Sequence, residues 1–400
     1  MNDGMLSMDA PLVGRSVAVG IFSLLHIALA GLGMGFMVLA PIAEVIGRRR
    51  PHYTDAARSM TRFTLVTFTT SMVLAVLMIE LFIGLFPLTN TLLFNRFRLP
   101  IFVAMAAFLA QLFLLYPYYH YWDRIRLRRP RVHIALGSTA ALLMLVWVLV
   151  LDGIGSFMLT PVNGDSQWKL LLNPTWLPLA LHRFIGNFVI SGYAAAGYAA
   201  WRLRDAVAEH DQLYYREIAT AGFMVGLVAL SLQPVTGLLY AHQIEQAAPE
   251  AYRQVVSGPF QPLVYLQFSL IATLFLGSHI VLATAGPNVS AQRWLLPLVA
   301  LAAVGMVLSV GMNDLRRALT LGLASLTLVA LVVNRRTLTS SGGLTFDRPA
   351  LRRVAAVLGV VSLITYLIMG TIRETARRPY TVQGVVTLQD EAQKPSAFRD

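Results

Sequence analysis

Long apolar segments recur along almost the whole chain, and they constrain the fold more than any other feature of the sequence. Several exceed the roughly 18 apolar residues that cross a bilayer core about 30 Å thick. Only 13% of the residues are charged, whereas soluble domains carry about 25%. The sequence therefore predicts an all-α protein, a polytopic transmembrane helix bundle with nine or ten spans. The ten segments are 17–43, 62–87, 99–120, 132–152, 177–201, 216–240, 260–284, 293–312, 315–333 and 351–371.

Arginines are distributed unevenly between the loops that connect these segments. The odd-numbered loops hold most of them, as in WDRIRLRRPR at 122–131, and the alternate loops hold few. Because Lys and Arg concentrate in cytoplasmic loops, this pattern predicts that the odd loops are cytoplasmic and that the amino terminus lies outside. The same pattern explains the net charge of +12, so we expect membrane lipid and no nucleic acid as a partner.

The loops are too short to contain an inserted soluble domain. We predict a transmembrane helical domain over 1–372 and a polar C-terminal tail over 373–400. The largest outer loops are 153–176 and 241–259, and the eighth and ninth spans form a hairpin at 293–333.

Five polar side chains fall inside the predicted spans or at their outer ends. His26, His182, His242 and Glu80 lie towards the outer side, and Gln111 lies within the third span. An ionisable group at membrane depth costs several kcal/mol unless it is compensated, which makes each one a candidate for function. Imidazole is a common ligand of heme iron, and a helix bundle can hold a porphyrin in its core.

Two interpretations of these histidines remain open. In the first, His26 and His182 bind heme iron, and the glycines that follow them let the flat ring approach the helix. In the second, the glycines serve helix packing, and each histidine bonds only neighbouring groups. The sequence contains no cysteine, which excludes thiolate metal sites and covalent attachment of c-type heme.

Six short motifs follow one another along the chain. They are SLLHIALAGLGMGF (23–36), MIELFIG (78–84), YWDRIRLRRPRVHIALGS (121–138), DGIGSFMLTPVNG (152–164), NPTWLPLALH (173–182) and RETARRPY (373–380). In this order they resemble motifs of the large heme-binding subunit, subunit I, of the cytochrome bd quinol oxidases. The resemblance is good over about 15–200 and patchy beyond.

The resemblance implies roles for individual residues. His26 matches the axial histidine of the high-spin heme site, and His182 matches the histidine of the low-spin b heme. Glu80 matches a glutamate of the second helix. Heme b, in one or more copies, is thus the expected cofactor, with quinone or quinol as a second ligand.

The chain also departs from this family at functional positions. The two glutamates of the third helix, which belong to the family's proton path and oxygen-reducing site, fall at Val103 and Gln111, and the glutamate of the high-spin b heme falls near Leu367. Glu80 and Gln111 are therefore our proton- and quinol-related positions. The methionine of the low-spin heme falls near Ser269 or Leu270, and His242 is our candidate for the missing sixth ligand. The long quinol-binding loop shrinks to 241–259, and the hairpin 293–333 looks inserted. These departures argue against heme d as a cofactor and against oxygen reduction by this chain.

The function predicted from these residues is a heme-binding electron-transfer subunit that works between the quinone pool and a partner in a respiratory complex, as part of an oxidoreductase. Two alternatives remain: a cofactor-poor structural subunit of such a complex, and an atypical oxygen-reducing quinol oxidase. The resemblance implies a prokaryotic cytoplasmic (inner) membrane location. It also implies a second bd-like membrane subunit or other respiratory subunits as partners. The polar tail offers a contact for a peripheral c-type cytochrome.

Overall fold

The structure, a computed structural model, describes residues 14–285, 289–309, 311–339, 344–376 and 381–392. Over these residues the chain forms fourteen α-helices and one isolated β-bridge, between Val382 and Val386. The helices are α1 (Arg15–Gly47), α2 (His52–Leu85), α3 (Pro87–His120), α4 (Trp122–Arg128), α5 (Pro130–Phe157), α6 (Gln167–Leu171), α7 (Trp176–Arg202), α8 (Glu209–Ala247), α9 (Pro249–Val256), α10 (Gln261–Ala285), α11 (Val289–Leu308), α12 (Asn313–Thr339), α13 (Pro349–Ala376) and α14 (Leu388–Ala392).

Each of the ten predicted segments coincides with one of the long helices, which confirms the prediction of a polytopic helical bundle. Eight of the described helices are long and apolar enough to cross a membrane. The apolar part of α11, 294–308, is shorter, and α7 is not among the eight. Polar residues lower the hydropathy of α7, but His182, Asn187 and Ser191 are buried between helices.

The long helices form two groups that meet at α7. In the first group, α1 packs on α2 and α5, and α3 packs on α5. In the second, α7 packs on α8 and α13, and α10 packs on α13. α1 also contacts α7 and α13, which joins the groups. The hairpin predicted at 293–333 corresponds to α11 and α12, which pack on each other and cover α10 and α8.

Prolines determine where several helices begin or bend. α3, α5, α9 and α13 each begin at a proline, whose missing N–H is not needed in the first turn of a helix. α3 bends at Phe97, which has φ −125° and ψ 23°, just before Pro100. The bend arises because the ring of an internal proline crowds the carbonyl one turn earlier, here that of Arg96.

The described part of the tail folds back onto the first group of helices. Glu391 is buried, and its Oε1 accepts hydrogen bonds at 2.7 Å from both the backbone N–H and the hydroxyl of Thr89. Its Oε2 accepts a third, at 3.2 Å, from the N–H of Leu88. These N–H groups belong to the first turn of α3, where no carbonyl within the helix can accept them. The carboxylate therefore caps α3.

α7 is held against α8 by direct contact between their backbones. A Cβ on Gly192 would overlap the backbone of Gly226, and one on Gly222 would lie 2.7 Å from the backbone nitrogen of Ala196. Small residues allow this approach in membrane bundles. The helix that carries His182 is thus fixed to its neighbour by glycines at the crossing.

We predict that Gly192→Ala separates α7 from α8 and lowers stability by about 1–3 kcal/mol, the usual effect of adding a methyl group to a packed interior. Thermal unfolding of the purified protein in detergent would measure it. The control is Gly322→Ala in α12, where an added Cβ meets nothing within 4 Å. That control should stabilise the helix by roughly 0.5–1 kcal/mol. Equal effects of the two changes would contradict the close contact.

A buried polar cluster joins α1, α3 and α5. Glu44 Oε1 lies 2.7 Å from His133 Nδ1, and Glu44 Oε2 accepts a hydrogen bond from the Tyr118 hydroxyl at 3.2 Å. His133 Nε2 lies 3.0 Å from the Tyr118 carbonyl oxygen. All three side chains are almost completely buried. The sequence alone assigns no role to these three residues, because their significance depends on how the helices face each other.

We predict that Glu44→Ala destabilises the protein by about 3 kcal/mol, since removing one partner of a buried pair leaves the other without compensation. His133 and Tyr118 would both lose their bonds to the carboxylate. Asp205→Ala is the comparison, because Asp205 pairs with Arg204 at an exposed position and should melt like the wild type. Unfolding of Glu44→Ala at the wild-type temperature would show that the cluster contributes little.

Candidate functional site

A cavity of about 310 Å³ lies within the second group of helices, next to α7. Residues of α7, α8, α9, α10, α12 and α13 line it, together with Ile27 of α1 and Leu159. Most of its walls are aliphatic or aromatic, and its polar residues include His182 and four arginines. An apolar space with a few convergent polar groups is the usual form of a ligand or cofactor site.

His182 is buried in the wall of this cavity and is 7% exposed. The carboxamide nitrogen of Gln233 lies 3.1 Å from its Nδ1 and 3.3 Å from its Nε2. A Cβ on Gly237 would lie 3.1 Å from the ring carbon Cε1, so a larger residue there would crowd the imidazole. The glycine and glutamine of α8 therefore position the ring at the cavity.

The register between α7 and α13 determines which residues lie opposite His182. The Tyr366 hydroxyl donates to Asn187 Oδ1 at 2.9 Å, and a Cβ on Gly197 would lie 2.9 Å from the carbonyl oxygen of Ala355. Later residues of α7 therefore pair with earlier residues of α13, so the two helices are antiparallel. Continuing this register past Asn187 brings His182 level with approximately residue 370 of α13.

Met369 occupies that level and lines the same cavity. It is the one methionine among the described residues that line the cavity. The family resemblance places this methionine near Ser269 or Leu270, on α10 and not on α13. The spacing of Tyr366, Met369 and Arg373 on one helical face is a signal that could have identified it, once α13 is known to face α7.

Arginines from three helices also reach the cavity, and two of them have carboxylate partners. Arg183 pairs with Asp152. Arg317 donates at 2.8 Å to Glu245. The other two are Arg316 and Arg373. Cations beside an apolar space suit a ligand that is largely apolar but carries anionic groups.

Three buried polar atoms in the cavity wall have no hydrogen-bond partner among the described residues. They are Gln233 Oε1, Gln267 Oε1 and Arg316 Nε. Because nearly all buried polar atoms in folded proteins are hydrogen-bonded, such a group indicates a missing ligand or ordered water. The guanidinium of Arg316 suits a heme carboxylate, and the two amide oxygens need a donor such as ordered water. With the imidazole, the thioether and the apolar walls, the lining fits a heme.

His26 lies outside this cavity, on α1. It is half-buried, and its Nδ1 lies 2.9 Å from the carbonyl oxygen and 2.8 Å from the hydroxyl of Ser71 on α2. A Cβ on Gly33 would lie 2.9 Å from the Thr67 hydroxyl, and one on Gly35 would overlap Ser191. These two glycines thus serve close helix packing. The contacts with Ser71 orient the ring.

The other predicted site residues are not brought together with His182. Glu80 is exposed on α2. Gln111 is completely buried, its Oε1 accepts from Trp147 Nε1 at 2.7 Å, and its Nε2 has no partner among the described residues. His242 is exposed, lies 3.0 Å from the Gln246 amide and does not line the cavity.

Comparison with known proteins agrees with this architecture. The profile of the family described as cytochrome bd terminal oxidase subunit I matches residues 16–256, which include His26 and His182. Among solved structures, the bd oxidase from Geobacillus thermodenitrificans shares the fold, with a TM-score of 0.55 and 17% identity over 94% of this chain and 99% of that chain. A search of curated proteins finds no match. Because the profile covers more than half of the sequence, the chain belongs to the cytochrome bd terminal oxidase subunit I family.

Proposed function

We propose that this chain is a heme-binding electron-transfer subunit of a quinol oxidase-type membrane complex, with a b heme held at His182. The observation that carries the proposal is the position of His182. Its imidazole faces an apolar cavity of about 310 Å³ that also contains a thioether and arginines. A heme b bound there supplies one-electron oxidation and reduction.

The residues of the cavity have separate tasks in this proposal. His182 would hold the heme iron through its imidazole, and Gln233 orients its ring through the contact at 3.1 Å. Met369, on the helix that faces α7, would be the second residue to hold the heme iron, in place of the methionine missing near Ser269 or Leu270. Pairing of an imidazole with a thioether is typical of electron-transfer hemes, in which methionine raises the reduction potential.

The predicted high-spin site belongs to the same proposal as a second position. His26 would hold the iron there, and Ser71 fixes the ring through Nδ1. Second-shell contacts of this kind orient metal-ligating histidines. Gln111 stands where the family has a glutamate, and an amide neither takes up nor releases a proton near neutral pH. This difference supports electron transfer by the chain more than oxygen reduction.

The surroundings of the chain complete the proposal. We place it in a prokaryotic cytoplasmic membrane with the amino terminus outside. It works there with a second bd-like membrane subunit, or with other respiratory subunits, and exchanges electrons with quinone or quinol. Glu80 is exposed on a membrane helix, where a carboxylate is costly in contact with lipid. Its exposure supports contact with a neighbouring subunit or with quinone on this side of the chain. A peripheral c-type cytochrome remains our candidate for the partner that binds the C-terminal tail.

A cofactor-poor structural subunit is the second candidate. It is favoured by the side chains at two family positions, Gln111 in α3 and Leu367 in α13, neither of which can act as the family's carboxylate does. A pyridine hemochrome assay on the purified chain separates the two candidates, because a structural subunit contains no heme.

We predict that the wild-type chain contains heme b and that His182→Ala removes its low-spin signal. Met369→Leu should keep the heme but convert it to a high-spin form, because the apolar leucine side chain cannot coordinate iron. Absorption spectra of the reduced and oxidised protein, with the hemochrome assay for heme content, measure both effects. Reduction by a quinol tests the coupling to quinone in the same samples.

His242→Ala is the matched control for these variants. His242 is exposed and lies outside the cavity lining, so its removal should leave the low-spin spectrum unchanged. Loss of the low-spin signal in His242→Ala, with an unchanged spectrum in Met369→Leu, would assign the sixth ligand to His242. A colourless wild-type protein would replace the whole proposal with the structural subunit.

A further inference from the structure

Arg316 is a buried cation without a carboxylate partner. It lies in the first turn of α12, is 4% exposed and lines the cavity that contains His182. Its guanidinium donates at 2.6 Å to the carbonyl oxygen of Ser309. None of the described carboxylates lies within ion-pair distance of it, and its Nε is buried without a hydrogen-bond partner. Its charge is therefore not neutralised by any described group.

The neighbouring aromatic rings hold the guanidinium in place but do not neutralise it. Its central carbon lies 4.9 Å from the ring centre of Tyr265 and 5.0 Å from that of Phe268. Such cation–π contacts contribute about 0.5–2 kcal/mol. An unpaired ion in a low-dielectric interior costs several kcal/mol, which exceeds that contribution. The site is therefore electrostatically incomplete without an anion.

Other arginines around the same cavity show what a completed pair looks like here. Arg183 has Asp152 as its partner. Arg317, the residue after Arg316, is bound by Glu245 and by the hydroxyl of Tyr252, at 2.8 and 2.7 Å. The chain thus supplies acidic partners to these cations and leaves Arg316 without one. The difference indicates that the anion for Arg316 comes from a ligand.

The start of α12 adds to the positive field. Asn313, its first residue, also lines the cavity, so the N-terminal end of this helix lies at the cavity wall. The N-terminus of an α-helix carries a partial positive charge and free N–H groups, both of which favour an anion. This end and the buried guanidinium would act on the same ligand group.

We propose that Arg316 binds a carboxylate of the heme, one of its propionates, and so makes the α11–α12 hairpin part of the cofactor site. This inference rests on the proposed function, because the heme is the anionic ligand that His182 assigns to the same cavity. A lipid phosphate offers similar chemistry. The heme carboxylate is favoured because the guanidinium is buried inside the cavity and shares it with the proposed axial ligands.

The test uses the full chain purified without heme and then titrated with heme b or with its dimethyl ester, in which both carboxylates are neutral. We expect the wild type to bind heme b about tenfold more tightly than the ester, the effect of one hydrogen bond to a charged group. Arg316→Met should reduce that preference to less than about threefold, and Arg316→Lys should retain part of it. Absorption changes of the heme report binding without any activity measurement.

Arg253→Gln is the control, since Arg253 is exposed, pairs with Glu250 and does not line the cavity; it should keep the wild-type preference. Thermal unfolding of heme-free Arg316→Met checks folding, and we expect it to be at least as stable as the wild type because an uncompensated buried charge has been removed.

The outcomes separate this inference from the proposed function. If the wild type binds both porphyrins equally, or if Arg316→Met keeps the full preference, the role of Arg316 is refuted and the heme site stands. If the wild type binds neither porphyrin, the proposed function fails and this inference fails with it. Nanodiscs with phosphatidylglycerol or phosphatidylcholine form a further arm. If the anionic lipid stabilises the wild type but not Arg316→Met, and the variant keeps the wild-type preference for heme b over the ester, the site is assigned to a lipid phosphate.

Discussion

Polar groups inside a membrane must be satisfied by other groups of the protein, and this requirement organises the second group of helices. α7 is too polar to qualify as a membrane span by hydropathy, yet its polar side chains are buried. They become tolerable because α8 and α13 supply partners, as Gln233 does for His182 and Tyr366 does for Asn187. Close approach at Gly192 makes these contacts reachable. The same close packing that holds these helices together therefore also provides hydrogen-bond partners for their buried polar groups.

The helical architecture was predictable because hydrophobicity along a chain reflects the environment of each segment directly. The ten apolar segments correspond to the ten long helices, and the family followed from motifs around His26 and His182. Contacts between distant segments were not predictable. Which helical faces meet decides the positions of Met369, the Glu44–His133 pair and the unpaired charge of Arg316. No local sequence pattern predicts which faces meet. His242 shows the converse, since its sequence position suited a ligand but its side chain lies outside the cavity.

Two polar centres coexist in the fold with different degrees of completion. The cluster of Glu44, His133 and Tyr118 is buried and its charged and polar ends are bonded to one another. The cavity beside α7 contains amide oxygens and a guanidinium nitrogen that no described group satisfies. The contrast separates a cluster whose polar groups satisfy one another from a cavity whose polar groups need a ligand or ordered water. It also explains why the first is a structural element and the second a candidate for function.

The carboxylate that caps α3 has a consequence for biosynthesis. Glu391 lies 302 residues after Thr89 in the chain, so the start of α3 stays without this cap until almost every other described helix has been made. The early part of the bundle must therefore enter the membrane with an unfinished helix end, and its final form depends on a late-translated segment. A fusion or truncation at the tail would for that reason act on the half of the molecule that is synthesised first.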